Sequence, residues 1–327
     1  MYNEDFKNRF IQDISDSYSY RRLCKTIFDD TEKAENSWNA DICTRSPEEL
    51  EPVLNDILGL RKSGHISRLN VLRRYFKYCM DAGYPGAGDA IERVVISNVD
   101  KIRRETVSGP LGMQRYLNKY FEQESEQTMA NVYRLYYWLA FAGMPEEEIF
   151  NVRVSDVDLS YGVIRHNGEE YPIYTEAYPA VRNAMELTRF LYKHPGYTKN
   201  TYKERINSDK LLRGIKTTTN VTEDSSAGRS LKSNIYRIFK LKSKQGTNGV
   251  MLSFSHAALS GLFYRKYELE DKQKQPYTYE DFLDAAADAM HDTHKDTVPE
   301  SELRRKRKRT AISLLEDYEA WKCAFNL

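Results

Sequence analysis

Among the 327 residues, one stretch reads as a pair of strands, and it limits what the rest can be. Gly162-Val-Ile-Arg-His166 and Glu169-Glu-Tyr-Pro-Ile-Tyr174 flank Asn167-Gly168. Both central residues of a type I′ turn need positive φ, which Asn and Gly tolerate, so the spacing predicts a tight hairpin. Pro172 has no amide hydrogen to donate, which makes the second strand an edge strand or ends it early. Elsewhere the apolar residues recur at helical spacing, between polar turns. The chain is therefore expected to be mainly α with a small β-sheet, an α+β protein.

Residues 1 to about 96 read as helices. Ser46, Pro47 and Glu49 form a capping signal that opens a helix through Leu54, Ile57 and Leu58. After a turn at Gly59 to Gly64, Ile66, Leu69, Leu72, Phe76 and Cys79 or Met80 place an apolar stripe on a helix ending near Asp81. Arg68, Arg73, Arg74 and Lys77 occupy its other side. The polar stretch from Ser97 to Gly109-Pro110 is the best domain boundary. It divides the chain into a helical domain over 1–100, a linker over 101–110 and a second domain over 111–327. Within the second domain, Thr128 to Ala142 reads as a helix with Val132, Leu135, Tyr136 and Leu139 on one face, stopped by Gly143. Helical periodicity is expected again over 178–192, 229–243, 255–269, 279–290 and 309–325.

The formal net charge of +1 conceals a local asymmetry. Residues 193–244 contain 13 Lys or Arg against 4 Asp or Glu, and Arg304, Arg305, Lys306, Arg307, Lys308 and Arg309 are consecutive. Local positive potential is what a polyanion requires, whatever the total charge. The 4 cysteines form no CxxC pair and read as reduced thiols, not as a zinc or disulfide framework. His291-Asp-Thr-His294 lacks a third ligand at usable spacing and reads as a surface loop. Phosphate-loop glycine motifs are absent, so no nucleotide cofactor, and indeed no cofactor or metal, is expected. The polar opening MYNEDFKNRF and the lack of a long apolar run point to a cytoplasmic protein without a membrane partner.

In order, these pieces resemble the tyrosine recombinase (phage integrase) family along nearly the whole chain. Ser46 to Val94, and particularly Leu69-Asn-Val-Leu-Arg-Arg-Tyr-Phe-Lys-Tyr-Cys-Met-Asp-Ala-Gly83, resembles its SAM-like core-binding domain. Leu135 to Ile149, then Asn151-Val-Arg-Val-Ser-Asp-Val-Asp-Leu159 and the hairpin, are similar to the start of its catalytic domain. Ile312-Ser-Leu-Leu-Glu-Asp-Tyr318 resembles the segment carrying its nucleophilic tyrosine. The resemblance implies a protein of a phage or other mobile element, linked to DNA integration or recombination, that clamps double-stranded DNA and forms a homo-oligomer on it. Arg68, Arg73, Arg74, Lys77 and the basic run Arg304 to Arg309 would contact phosphates.

The family's chemistry transfers poorly to these residues. Its tyrosine attacks a phosphate held by two arginines and a histidine or equivalent donor, while a hairpin lysine protonates the leaving oxygen. Cationic donors are needed because charge grows on the nonbridging oxygens in the transition state. Here Tyr318 stands at the nucleophile's place, but Pro145 occupies that of the first arginine and the turn His166-Asn167-Gly168-Glu169 has no lysine. Of the His-x-x-Arg motif only His256 is found, with Leu259 at the arginine position and Arg265 farther along the same helix. Strand cleavage is accordingly expected to be impaired or absent, a pseudoenzyme. The alternatives are an active recombinase that uses Tyr318 with Arg265 or nearby cations as substitutes, and a module that keeps the fold but binds protein instead of DNA.

Overall fold

A computed structural model of the chain describes residues 1–14, 17–57, 62–121, 130–192, 201–214, 216, 232–233, 235–236, 252–289 and 299–327. It is mainly helical with a small three-stranded antiparallel sheet, the expected α+β class. The histidine pair at 291–294 and most of the basic stretch 193–244 lie outside the described residues, as does most of the helix expected over 229–243.

Two compact units form, one from Met1–Arg103 with Pro276–Leu327, the other from Arg104–Gln275. The division at Arg103 falls inside the stretch read as a linker, but the C-terminal segment groups with the N-terminal helices and not with residues 111–275. The boundary stretch is also partly helical, since Val99–Glu105 forms a short helix with Ile102 buried.

The first unit contains α1 (Glu4–Ile14), α2 (Tyr18–Trp38), α3 (Pro47–Ile57), α4 (Lys62–Asp81), α5 (Val99–Glu105, ending across the boundary), α11 (Leu283–Asp288) and α12 (Glu300–Phe325). Ser46 and Glu49 make the reciprocal cap that the sequence predicts, each side chain accepting from the other's backbone amide at 3.4 and 3.0 Å. Val71, Leu72, Tyr75, Phe76 and Cys79 of α4 are fully buried against Phe10, Ile27, Phe28, Leu50 and Leu54. Of the stripe expected from the sequence, Ile66 is instead 54% exposed, and of the alternatives Cys79 and Met80 it is Cys79 that is buried while Met80 is 42% exposed. Tyr75, which the expected stripe did not include, is also in the core, and its hydroxyl donates to buried Asp41 at 2.7 Å. Beneath this layer Lys7 is completely buried and bridges both oxygens of Glu35 at 2.5 Å.

In the second unit, α6 (Pro110–Phe121), α7 (Ala130–Ala142), α8 (Glu146–Ile149), α9 (Tyr178–Glu186) and α10 (Phe254–Gln273) surround the sheet β1 (Val157–Asp158), β2 (Val163–His166) and β3 (Glu169–Pro172). Asn167 and Gly168 have φ of 51° and 85°, as the hairpin requires. Val163 pairs with Pro172 and His166 with Glu169, and β3 has β2 as its one partner among the described residues. The sequence places one face of α7 inward, whereas Val132 through Ala142 is buried on every side except at Arg134. A helix apolar all round becomes the centre of its unit. Helical periodicity over 178–192 fails halfway: α9 stops at Glu186, and Arg189–Tyr192 is strand β4, paired antiparallel with β5 (Thr201–Glu204). A short aromatic run such as Arg-Phe-Leu-Tyr satisfies either period, and the strand partner decides.

α10 and α7 cross closely at Gly261, where an added Cβ would lie 1.7 Å from the Phe141 carbonyl oxygen. Among the described residues no helix is long and apolar enough to cross a membrane.

Candidate nucleic-acid interface

The four cations expected on α4 are all engaged. Arg68 pairs with Asp30 at 2.8 Å and donates to the Ile57 carbonyl at 2.6 Å. Arg73 pairs with Glu92 at 3.1 Å and Lys77 with Asp81 at 3.0 Å. Arg74 reaches Tyr20 on α2, its guanidinium 5.7 Å from the ring centroid. Exposed pairs of this kind contribute roughly 0–1 kcal/mol each, so a phosphate can displace the carboxylate at little cost.

On α12 the run divides in two. Arg304 pairs with Glu300, Lys306 with Glu302, and Arg307 with Asp284 and the Leu283 carbonyl. Lys308 sits over the Tyr279 ring at 4.8 Å. Arg305 and Arg309, one helical turn apart and exposed, have no hydrogen bond or ion pair among the described residues. The side chains of exposed Arg22 and Lys25 on α2 likewise have no hydrogen bond or ion pair among the described residues, a pair the sequence reading passed over. The Arg21-Arg22 and Lys25 spacing was the available signal. Two cations of the basic stretch 193–244 serve structure instead. Buried Arg205 donates to the carbonyls of Ala184, Leu187 and Leu211, and Arg213 donates to those of Ala184 and Met185. They meet the C-terminal carbonyls of α9, where positive charge is favoured.

The residues expected to supply catalysis are divided between the units. Tyr318, in the first, is 0% exposed. Its ring lies nearly parallel to Trp321 at 6.1 Å, with Phe282 at 5.6 Å and Tyr277 at 6.1 Å. A phenol packed in this way offers no face to a phosphate.

His256 and Arg265 belong to the second unit and lie on α10. Ser253 caps the helix by accepting from the His256 amide at 3.1 Å, and His256 Nε2 lies 3.7 Å from a Glu105 carboxylate oxygen. Leu259, at the place where the resembled motif has arginine, is buried. Arg265 donates to the Phe141 carbonyl at 2.5 Å, and its guanidinium closes on Gly143, whose φ of 98° turns the chain out of α7. A cation is thus present beside the turn that the sequence reading found empty, committed to the Phe141 carbonyl near the end of α7.

Past Pro145, the first turn of α8 carries Glu146, Glu147 and Glu148. Buried Tyr136 donates to Glu146, which also pairs with Lys232 at 2.8 Å. Burial and the Glu146 carboxylate together push the Tyr136 phenol well above its ordinary range. Glu148 holds the hairpin: His166 Nε2 approaches it at 3.0 Å and Asn167 Nδ2 donates to it at 2.9 Å. Asp156 approaches the other ring nitrogen of His166 at 2.9 Å. Where the resembled chemistry needs an arginine and a lysine, this unit presents carboxylates.

Residues 1–81 match the family model described as the MrpR N-terminal core-binding domain, so the N-terminal helices are similar to such a domain. No curated protein matches the chain significantly. A crystal structure of XerA recombinase matches with 13% sequence identity and a TM-score of 0.34, covering 94% of this chain and 98% of that one.

Proposed function

We propose that the protein binds double-stranded DNA through its first unit, as a recombinase-like protein that does not cut the strand. The observation that carries DNA binding is the similarity of residues 1–81 to a core-binding domain. The exposed cations Arg22, Lys25, Arg305 and Arg309, uncommitted among the described residues, are consistent with it. Absence of cleavage is supported by the burial of Tyr318 and by the carboxylates of Glu146, Glu147 and Glu148 beyond Pro145. A like charge beside a phosphate raises the energy of the transition state that the lost cations would have stabilised, each worth on the order of 100- to 1,000-fold in rate. The biological setting proposed is regulation linked to integration or recombination of a phage or other mobile element.

Titrating a fluorescent duplex at increasing salt tests the binding. Affinity is expected to fall linearly on a log–log plot, because neutralised phosphates release counterions. Arg305→Ala and Arg309→Ala should each weaken binding to all sequences alike and reduce the salt slope by about 1. No binding at low salt would sink the proposal. On a nicked duplex the wild type and Tyr318→Phe should both give no covalent adduct; an adduct lost in Tyr318→Phe would identify an active recombinase.

A further inference from the structure

The first unit brings together three donors that lie far apart in sequence: Asp41, Cys43 and Cys79, exposed by 1%, 1% and 0%. The carboxylate oxygen and both sulfurs lie within 4.8 Å of one another. Two anchored segments deliver them. Asp41 opens the turn Ile42–Thr44 by accepting from the Cys43 amide at 3.1 Å, and the Cys43 carbonyl accepts from Gly88 at 3.2 Å. Cys79 lies near the end of α4, its carbonyl accepting from the Tyr84 amide at 2.9 Å. Tyr75 and Asn3 donate to the other Asp41 oxygen at 2.7 and 3.1 Å, which fixes the carboxylate.

We propose that Asp41, Cys43 and Cys79 bind a thiophilic divalent cation, zinc being the one whose chemistry fits. Thiolate sulfur and carboxylate oxygen are both donor types that zinc takes, with bonds of about 2.3 Å to sulfur and about 2.0–2.2 Å to oxygen. Two thiolates on one tetrahedral ion stand roughly 3.8 Å apart, so the three donors need to contract by no more than about 1 Å. One position of the tetrahedron remains for a solvent oxygen.

The charge balance also fits. Binding breaks two S–H bonds, both protons leave to solvent, and the sulfurs keep their electron pairs as ligands. A dication replaces two protons, so the pocket's net charge is unchanged and nothing is oxidised or reduced. Each thiol must give up its proton to ligate, so protons compete with the cation for the two sulfurs. Affinity should therefore rise with pH. A bound ion would tie the turn after α2 to the end of α4, and would enter as the chain folds.

The test uses the full-length reduced chain, stripped with a chelator and titrated with cobalt(II) and then zinc. Expected are a thiolate-to-cobalt charge-transfer band saturating at one cobalt per chain, loss of the band on adding zinc, and a higher Tm with zinc that the chelator reverses. Cys323→Ser should keep the band, whereas Cys43→Ser and Cys79→Ser should lose it. Because either of those core variants can fail to fold, the wild type decides: a chain without the band overturns the proposal. So does a band lost in Cys323→Ser, or a mass two hydrogens low from a Cys43–Cys79 disulfide in the protein as purified.

Discussion

Gly261→Ala is expected to lower the Tm of the second unit by roughly 10 °C or more. The added methyl would sit 1.7 Å from the Phe141 oxygen and 2.6 Å from its carbonyl carbon. Overpacking costs about 1–3 kcal/mol where side chains can turn aside, and sometimes more. Here the obstacle is backbone, so α10 must withdraw from α7 along its length, and the expected cost is at or above the top of that range. At about 2–4 °C per kcal/mol for a unit of this size, the loss reaches the stated shift. Withdrawal would also strain the contact across the crossing from Arg265 to the Phe141 carbonyl. Thermal unfolding followed by circular dichroism measures the effect. Gly88→Ala is the control, because an added Cβ there meets no atom within 4 Å and φ is not positive. A Gly261→Ala protein melting within 2 °C of the wild type would contradict so close a crossing.

Lys7→Met should destabilise the first unit by about 3–5 kcal/mol, the usual effect of removing one member of a buried ion pair. The lysine loses little packing as methionine, so most of the effect comes from the Glu35 carboxylate left behind. That carboxylate is fully buried, accepts from Thr31 and from the Ile42 amide, and lies near Asp41. In the wild type, burial raises the Glu35 pKa and the Lys7 charge opposes the rise. A carboxyl group with a raised folded-state pKa holds its proton longer in the folded state than in the unfolded chain. Stability is therefore lost as pH rises from the ordinary carboxyl value to the folded one. Without Lys7 that window widens, so the Lys7→Met defect should be greater at pH 8 than at pH 5. Lys7→Met/Glu35→Gln should recover part of the loss at pH 8, since it removes the charge and keeps an acceptor for the Ile42 amide. Equal defects at both pH values would mean that the destabilisation is one of packing.

Periodic and local features were legible in the sequence. The Asn167-Gly168 hairpin, the Ser46–Glu49 cap and the helical identity of α4 and α7 follow from dihedral preferences and spacing, which act within a few residues. Errors arose where two readings fit one segment. Ile66 shares a helical period with the true core positions, and only the layer beneath α4 distinguishes it, as it also decides for Cys79 over Met80. Strand β4 has an aromatic run that suits a helix until β5 pairs with it.

The candidate site was legible mainly as absences. Pro145, the lysine-free turn and Leu259 can be read directly, because a missing side-chain type is a local fact. What replaced them could not be read. Arg265 arrives at the Gly143 turn because α10 crosses α7, and Glu148 meets the hairpin through His166 and Asn167, 18 and 19 residues further along the chain. The basic runs were visible as charge. Which cations are committed to carboxylates, carbonyls or rings depends on neighbours distant in the chain, as Arg68 with Asp30 and Arg307 with Asp284 illustrate.

The sequence by itself determined the helical class, the Asn167-Gly168 hairpin and the absence of an arginine at Pro145 and Leu259 and of a lysine in the hairpin turn, since each is encoded by residue type at short range. Only the tertiary structure decided that Tyr318 is a core residue beside Trp321, that Lys7 and Glu35 neutralise one another out of water, and that Asp41, Cys43 and Cys79 share one pocket. The physical reason is common to all three. Burial and long-range contact set what a side chain meets, and that in turn sets whether its charge, proton or lone pair is available.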